Sequence, residues 1–146
     1  MKISIIIPAR LKSSRFPEKP LKYILGIPMV IRVARICEKL INKKNIYIAT
    51  DSKKISLIAN KYGFKSVSTS KKCLTGTDRV AEAASKIPGE IFINVQGDEP
   101  LIKSTDIKRI IDAKIKNKDK IICGYTNIKK IINPSSNSIP KVVFNE

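Results

Sequence analysis

Three short apolar runs, each followed by a stretch with helical spacing, constrain this chain more than any other feature. Lys2–Pro8 is continuous and Ile-rich, Asn45–Thr50 reads NIYIAT, and Ile91–Gln96 reads IFINVQ. Runs this short, apolar without strict alternation, suit strands covered on both faces. Between them the period becomes helical. Pro28 is placed to open a helix reaching about Ile41, with Val30, Val33, Ala34, Cys37 and Leu40/Ile41 on one stripe. Asp51 or Ser52 caps a second helix that ends at Gly63, just after Tyr62, and Lys65–Ser68 is a short third strand. Thr77 or Asp78 caps a helix over Arg79–Lys86, stopped by Pro88-Gly89. Ser104–Lys116 is a helix with Ile107, Ile110, Ile111 and Ile115 in phase, and Lys120–Thr126 a further strand. Arg10–Pro20, polar and closed by Pro17 and Pro20, reads as loop; the tail Asn133–Ser138 is rich in Asn, Ser and Pro, and Lys141–Phe144 begins another strand-like run.

Strands alternating with helices imply right-handed crossovers and a Rossmann-like three-layer α/β/α fold with a mainly parallel sheet. The 146 residues form one such domain. Ligands of these sheets bind at the carboxyl ends of the strands. The segments after Pro8, Thr50 and Gln96 are therefore the places where chemistry is expected.

Composition removes several alternatives. Hydrophobic residues make up 42%, too many for a disordered chain, and no run approaches the ~18 apolar residues of a membrane span. The N-terminal run is closed by Pro8 and Arg10 and lacks the h-region of a signal peptide, so the chain reads as soluble and cytoplasmic. Histidine is absent, which excludes Ser-His-Asp and Cys-His dyads, histidine zinc sites and an imidazole base. Cys37, Cys73 and Cys123 are odd in number and far apart; they read as reduced thiols serving as small core residues.

The net charge of +17 raises the question of nucleic acid. The 23 Lys and 6 Arg are dispersed along the whole chain, and aromatics are only 5%. No pattern of basic residues interleaved with aromatics appears, so a solvated Lys-rich surface is the expectation and a basic nucleic-acid-binding protein the remote alternative. The charge still favours anionic ligands.

Two of the three strand-end segments stand out. After the first strand, Arg10, Arg15 and Lys19 share one loop, at spacings a loop can fold into a clamp for a triphosphate. Backbone N–H groups near Ala9 would face a nucleotide there. No G-x-x-x-x-G-K-[ST] is present, so the loop is not a P-loop; an ordinary basic surface loop is the alternative. After the strand at Ile91, Gln96 is followed by Gly97, which permits a tight turn, and by two carboxylates, Asp98 and Glu99. A hard cation such as Mg²⁺ takes one or two carboxylates plus phosphate oxygens, and Asp98 has the position for it, against a turn-capping role.

The stretch I-P-A-R-x-x-S-x-R-x-P-x-K-P-L over residues 7–21 resembles the N-terminal signature of the sugar-acid cytidylyltransferases, and among them the CMP-Kdo (3-deoxy-manno-octulosonate) synthetases. Ile48-Ala49-Thr50-Asp51 is similar to the family's A-T-D, although a plain helix cap explains Asp51 equally well. Thr75-Gly76-Thr77-Asp78-Arg79-Val80-Ala81-Glu82 is similar to S/T-G-T-[ED]-R-x-A-E, and Asn94-Val95-Gln96-Gly97-Asp98-Glu99-Pro100 to the diagnostic N-V-Q-G-D-E-P. Residues 133–143 look like its N-P-x-x-V-K-V-V. Neuraminate cytidylyltransferases have a more Gly-rich first loop and lack G-D-E-P.

The resemblance implies a nucleotide-diphospho-sugar transferase fold and transfer of CMP from CTP to Kdo, giving CMP-Kdo and pyrophosphate for lipopolysaccharide biosynthesis. It implies that Pro8, Ala9, Arg10, Arg15 and Lys19 contact CTP, that Thr75, Gly76 and Thr77 help recognise cytosine, and that Asp98 binds catalytic Mg²⁺. Gln96 and Arg79 become candidate contacts to the sugar acid or the phosphates. Family members are considerably longer, and their remaining half supplies a second Mg²⁺-binding Asp, most sugar contacts and much of the dimer interface. The chain is therefore expected to be a fragment or truncated product, or to be completed by a second polypeptide, and a family-like homodimer is not expected of it. An incomplete CTP-binding remnant, or an enzyme for 8-amino-Kdo or a neuraminate-like acid, are the alternatives within the resemblance.

Overall fold

The computed structural model describes residues 1–11 and 16–126. Four parallel strands form the central sheet: β1 (Ile3–Pro8), β4 (Ile46–Thr50), β5 (Lys65–Ser68) and β6 (Ile91–Asn94), in the order β5-β4-β1-β6. The chain thus builds outward from β1 to β5, then recrosses through α3 (Gly76–Ala84) to place β6 on the other side of β1. Strand order reverses at β1, which in open α/β sheets locates the ligand crevice beside it.

Alternation along β1 explains the layers. Ile5 and Ile7 point to one face, where they pack with Ile46, Ile48, Ile91 and Ile93 against three helices. These are α1 (Met29–Glu38), α2 (Lys53–Lys61) and α4 (Ser104–Lys116), which contribute Val30, Val33, Ala34, Cys37, Ile55, Ala59, Ile107 and Ile111. Burying each such Ile stabilises the fold by about 1.5–3 kcal/mol. Ile6 points the other way, to a far smaller cluster with Ala49 and Ala83 of α3. Ser4 shares that face. It is fully buried, and its hydroxyl donates to the Pro88 carbonyl at 2.8 Å, so the polar group is satisfied.

Most of the predicted elements are present, with corrections. Thr75, not Thr77 or Asp78, caps α3, and the helix starts at Gly76. The strand predicted to be buried through Gln96 ends at Asn94 and shows one face to solvent, with Phe92 and Asn94 exposed. β6 is an edge strand among the described residues. Lys120–Thr126 forms no strand, and Ile121 there is 93% exposed. Of the three cysteines only Cys37 is core, while Cys73 is half-buried and Cys123 exposed. The readings of Asn133–Ser138 and Lys141–Phe144 lie outside the described residues.

The predicted loop Arg10–Pro20 is followed by an element that patterning did not reveal, a hairpin of β2 (Tyr23–Ile24) and β3 (Ile27–Pro28). Its two-residue turn holds Leu25 and Gly26 at positive φ, 47° and 75°. Arg32 of α1 donates from Nε and Nη2 to the Ile24 carbonyl at 3.2 and 2.8 Å, fixing the hairpin to the helix. No helix among the described residues is long and apolar enough to cross a membrane.

Candidate active site

The β1–β6 ladder runs from Ile3↔Ile91 to Ile6↔Asn94, whereas β1 stays paired with β4 as far as Pro8↔Ala49. Past the ladder the chain stays against β1, with Val95 N–H donating to the Ile6 carbonyl at 3.1 Å, and a cleft of about 370 Å³ lies at the carboxyl ends of the two strands. Its walls come from three segments: Pro8, Ala9, Arg10, Phe16, Lys19 and Pro20 after β1; Thr75, Gly76 and Arg79 from the start of α3; and Gln96, Gly97 and Asp98 after β6. A shallower depression of about 470 Å³ lies at the amino ends of the strands, lined by Met1, Lys2, Ile3, Ile41, Asn45 and Glu90. There the Glu90 carboxylate accepts the Lys2 N–H at 3.0 Å, and no set of functional groups converges.

Lys19 and Asp98 meet across the cleft. The ammonium donates to Asp98 Oδ2 at 2.8 Å, and the side chains are 34% and 52% exposed, so both remain accessible to a ligand. Lys19 opens a short 3₁₀ turn, Lys19–Leu21, which buried Pro20 stiffens from its second position. Glu18 precedes it in the left-handed region (φ 54°, ψ 25°) and accepts from Lys54 Nζ of α2 at 2.8 Å. That hydrogen bond, and then the Lys54 charge, hold the Glu18 carboxyl below its ordinary value. Arg10 lies exposed at the lip of the cleft. Arg15 lies outside the described residues.

The opposite wall is the amino end of α3. The Thr75 hydroxyl accepts from Asp78 N–H at 3.1 Å and the Asp78 carboxylate accepts from Thr75 N–H at 2.8 Å, a reciprocal capping box. The Thr75 backbone N–H, foremost, holds the Asp78 carboxyl below its usual range. Gly76 leaves room for Gln96: a Cβ there would stand 3.1 Å from Gln96 Oε1. Gln96 Nε2 donates to Asn94 Oδ1 at 3.2 Å. Thr77 is exposed and does not line the cleft, although Thr75 and Gly76 do.

Two residues support this wall, Glu82, which was not among the expected site residues, and Arg79, which was. Glu82, on the next turns of α3, accepts from the Ser70 N–H at 3.1 and 2.9 Å, from the Cys73 thiol at 3.1 Å and from Lys86 Nζ at 2.7 Å. With Lys86 the largest influence, its carboxyl is pulled down to about 2. Arg79 is almost wholly buried; it donates to the Thr69 hydroxyl and lies 3.4 Å from Asp51 Oδ2. Asp51 thus meets Arg79 instead of capping α2, whose cap residue is Ser52. The motif T-G-T-D-R-x-A-E carried the only signal for Arg79 and Glu82, and their partners, Asp51, Thr69 and Ser70, are brought to them only by folding.

Among the described residues no three or more His, Cys, Asp or Glu form a metal cluster. A Mg²⁺ ion asks less when a substrate brings its own oxygens: one or two carboxylates suffice. Asp98 fits that donor set, because it faces the cleft, is half exposed and already accepts a cationic partner in Lys19. Glu99 beside it does not line the cleft, and its carboxyl is raised, first by desolvation and then by the Asp98 charge.

A fold of this order with a cleft of this composition matches known proteins. The family model described as Cytidylyltransferase covers residues 4–142. This chain belongs to the cytidylyltransferase family. The chain is 49% identical over 116 residues to the 3-deoxy-manno-octulosonate cytidylyltransferase of a Nitratiruptor species, covering 77% of the chain and 48% of that protein. It is 39% identical over 145 residues to the protein of the same name from Chloroherpeton thalassium, covering 99% of the chain and 56% of that protein. Among solved structures it resembles a CMP:2-keto-3-deoxy-manno-octonic acid synthetase complexed with CTP (TM-score 0.77, 34% identity, 82% of this chain and 49% of that one). A nucleotidyl transferase from Methanothermobacter thermautotroptrophicus shares the fold at 14% identity (TM-score 0.66, 76% of this chain and 57% of that one). The chain spans about half the length of the curated relatives it matches.

Proposed function

We propose that this chain binds CTP in the cleft at the carboxyl ends of β1 and β6 and carries the nucleotide-handling part of CMP transfer to Kdo, releasing pyrophosphate. The observation that carries the proposal is the meeting of Lys19 with Asp98 at 2.8 Å across a cleft that Arg10 also lines. Cations and one carboxylate facing a common space suit a metal-bound triphosphate. The solved relative at 34% identity was captured with CTP, which supports the same ligand here.

The residues divide the work by position. Arg10 and Lys19 neutralise phosphate oxygens and the charge that grows on departing pyrophosphate. Arg15 is assigned to the same clamp on the sequence motif. Backbone around Pro8 and Ala9 borders the nucleotide, and Thr75 and Gly76 offer a hydroxyl and an open surface to the flat cytosine ring. Gln96, against Gly76, faces the sugar acid together with Arg79, whose bonds to Thr69 and Asp51 fix its guanidinium. The anomeric hydroxyl attacks the α-phosphorus in line; its P–O bond forms as the bond to pyrophosphate breaks, and the hydroxyl proton passes to solvent. Asp98 would hold Mg²⁺, which when bound offsets phosphate charge and acidifies the attacking hydroxyl. Positioning and charge neutralisation carry such a transfer without an enzyme nucleophile, so a chain lacking histidine can perform it.

The test is pyrophosphate release from CTP, Kdo and Mg²⁺, alongside calorimetric titration of CTP. Turnover that falls ~10²–10³-fold in Asp98→Asn or Arg15→Ala supports the assignment. CTP binding without pyrophosphate release would reduce the function to nucleotide binding. Binding to nucleic acid at physiological salt that ignores CTP would overturn it.

A further inference from the structure

Glu18 is held where its backbone is uncomfortable and its side chain is useful. At φ 54° and ψ 25° it sits in the left-handed region that glycine occupies without penalty and a side chain does not. Its carboxylate reaches out of the loop to Lys54, 2.8 Å away on the first turn of α2. That turn needs an anion: Lys53 and Lys54 stand at the positive end of the helix dipole, no acidic residue lies in the turn, and Ser52 makes no side-chain cap. Neither Glu18 nor Lys54 lines the cleft, yet the next residue is Lys19. The loop after β1 is thus fastened on both sides, to α2 through Glu18 and to the turn after β6 through Lys19.

We propose that the Glu18–Lys54 pair is a positioning device that holds the loop so that Lys19 Nζ projects across the cleft toward Asp98 and the phosphates. Glu18 and Lys54 touch no ligand; they act through Lys19. The inference rests on the proposed CTP site and adds to it the residues that set the reach of its lysine. A carboxylate retained at a glycine-type position beside an anion-binding cleft is costly on two counts, backbone strain and repulsion of the ligand. Both costs are explained if its bond to Lys54 is what places Lys19.

This gives a test by sign. Removing an anion near a triphosphate site should tighten CTP if only bulk electrostatics act. Positioning requires the reverse. The full chain is titrated calorimetrically with CTP and with CMP in the presence of Mg²⁺, for the unaltered protein, Glu18→Gly, Glu18→Gln and Lys54→Gln. Each variant is expected to bind CTP more weakly by up to about fivefold, the upper end for loss of an exposed ion pair, with CMP affinity unchanged. Glu18→Gly relieves the left-handed strain but adds backbone freedom, and Glu18→Gln removes the charge without that added freedom, so the two together isolate the loss of the ion pair. CTP affinity unchanged or increased in Glu18→Gly and Glu18→Gln would overturn the inference, as would equal losses for CTP and CMP. Failure of the unaltered chain to bind CTP at all would instead remove the proposed function, and this inference with it.

Discussion

Gly97 packs against the end of β1 so closely that a Cβ on it would stand 2.8 Å from the Pro8 carbonyl oxygen and 3.3 Å from Ile7 Cγ2. Neither neighbour can swing aside, because one is backbone and the other belongs to the core. Its φ is not in the left-handed region, so closeness and not turn geometry demands glycine here. Gly97→Ala is therefore expected to push the Gln96–Asp98 turn away from β1 and separate Asp98 from Lys19. The variant should lose about 1–3 kcal/mol of stability from overpacking. Its CTP affinity should fall at least about tenfold, the scale of effect that small misplacements in a site produce. Denaturant unfolding and calorimetry measure both; full CTP affinity would refute the close-packing argument.

Acid should loosen the α3 wall before the rest of the fold. The Glu82 carboxyl is lowered in the folded chain to about 2 from an ordinary value of 4.5, so its bonds to Ser70, Cys73 and Lys86 stabilise the fold above pH 4.5. That contribution is lost as the pH falls from 4.5 toward 2. The protection factor of the Ser70 amide, its NMR exchange rate corrected for the intrinsic rate, should fall across this window. In Glu82→Gln the fall should be absent, and a profile identical to the unaltered chain would show that Glu82 is not the group responsible.

The three thiols should separate by reactivity. Cys123 is exposed and should alkylate first. Cys73 should lag, because desolvation first, and then the Glu82 carboxylate it donates to, keep its thiol protonated. Cys37 is buried, with its pKa pushed up to about 12, and should react only on unfolding. Mass spectrometry of iodoacetamide-treated protein gives the order, and early labelling of Cys37 would contradict the packing of α1.

Removal of the Thr75 hydroxyl should cost the α3 cap. Thr75→Ala leaves Asp78 N–H without its acceptor and should lower stability by about 1 kcal/mol. Thr77→Ala, exposed and not a cap, should leave stability unchanged in the same melting experiment.

Much of the scaffold was legible because its strands announce themselves: Ile-rich runs at β1, β4 and β6 have few other ways to be buried, and α4 begins and ends where its isoleucine spacing does. The α3 cap was also readable, since Thr75 and Asp78 stand at capping-box spacing, but two further cap-forming residues downstream competed for the reading. The β2–β3 hairpin was hidden because its strands are only two residues long and its turn puts a leucine at φ 47°. Lys120–Thr126 misled because apolar residues define a strand only where a neighbour exists to pair with. At the site, the types of residue were visible and their partners were not. Lys19 with Asp98, Glu18 with Lys54 and Arg79 with Asp51 are separated by 79, 36 and 28 positions, and only the sheet order brings them together.

The β1–β6 ladder stops at Ile6 while β1 stays paired with β4 as far as Pro8. The place of the cleft is thus set by main-chain pairing and by the Gly97 contact with Pro8, so side chains on its rim can be exchanged without moving it.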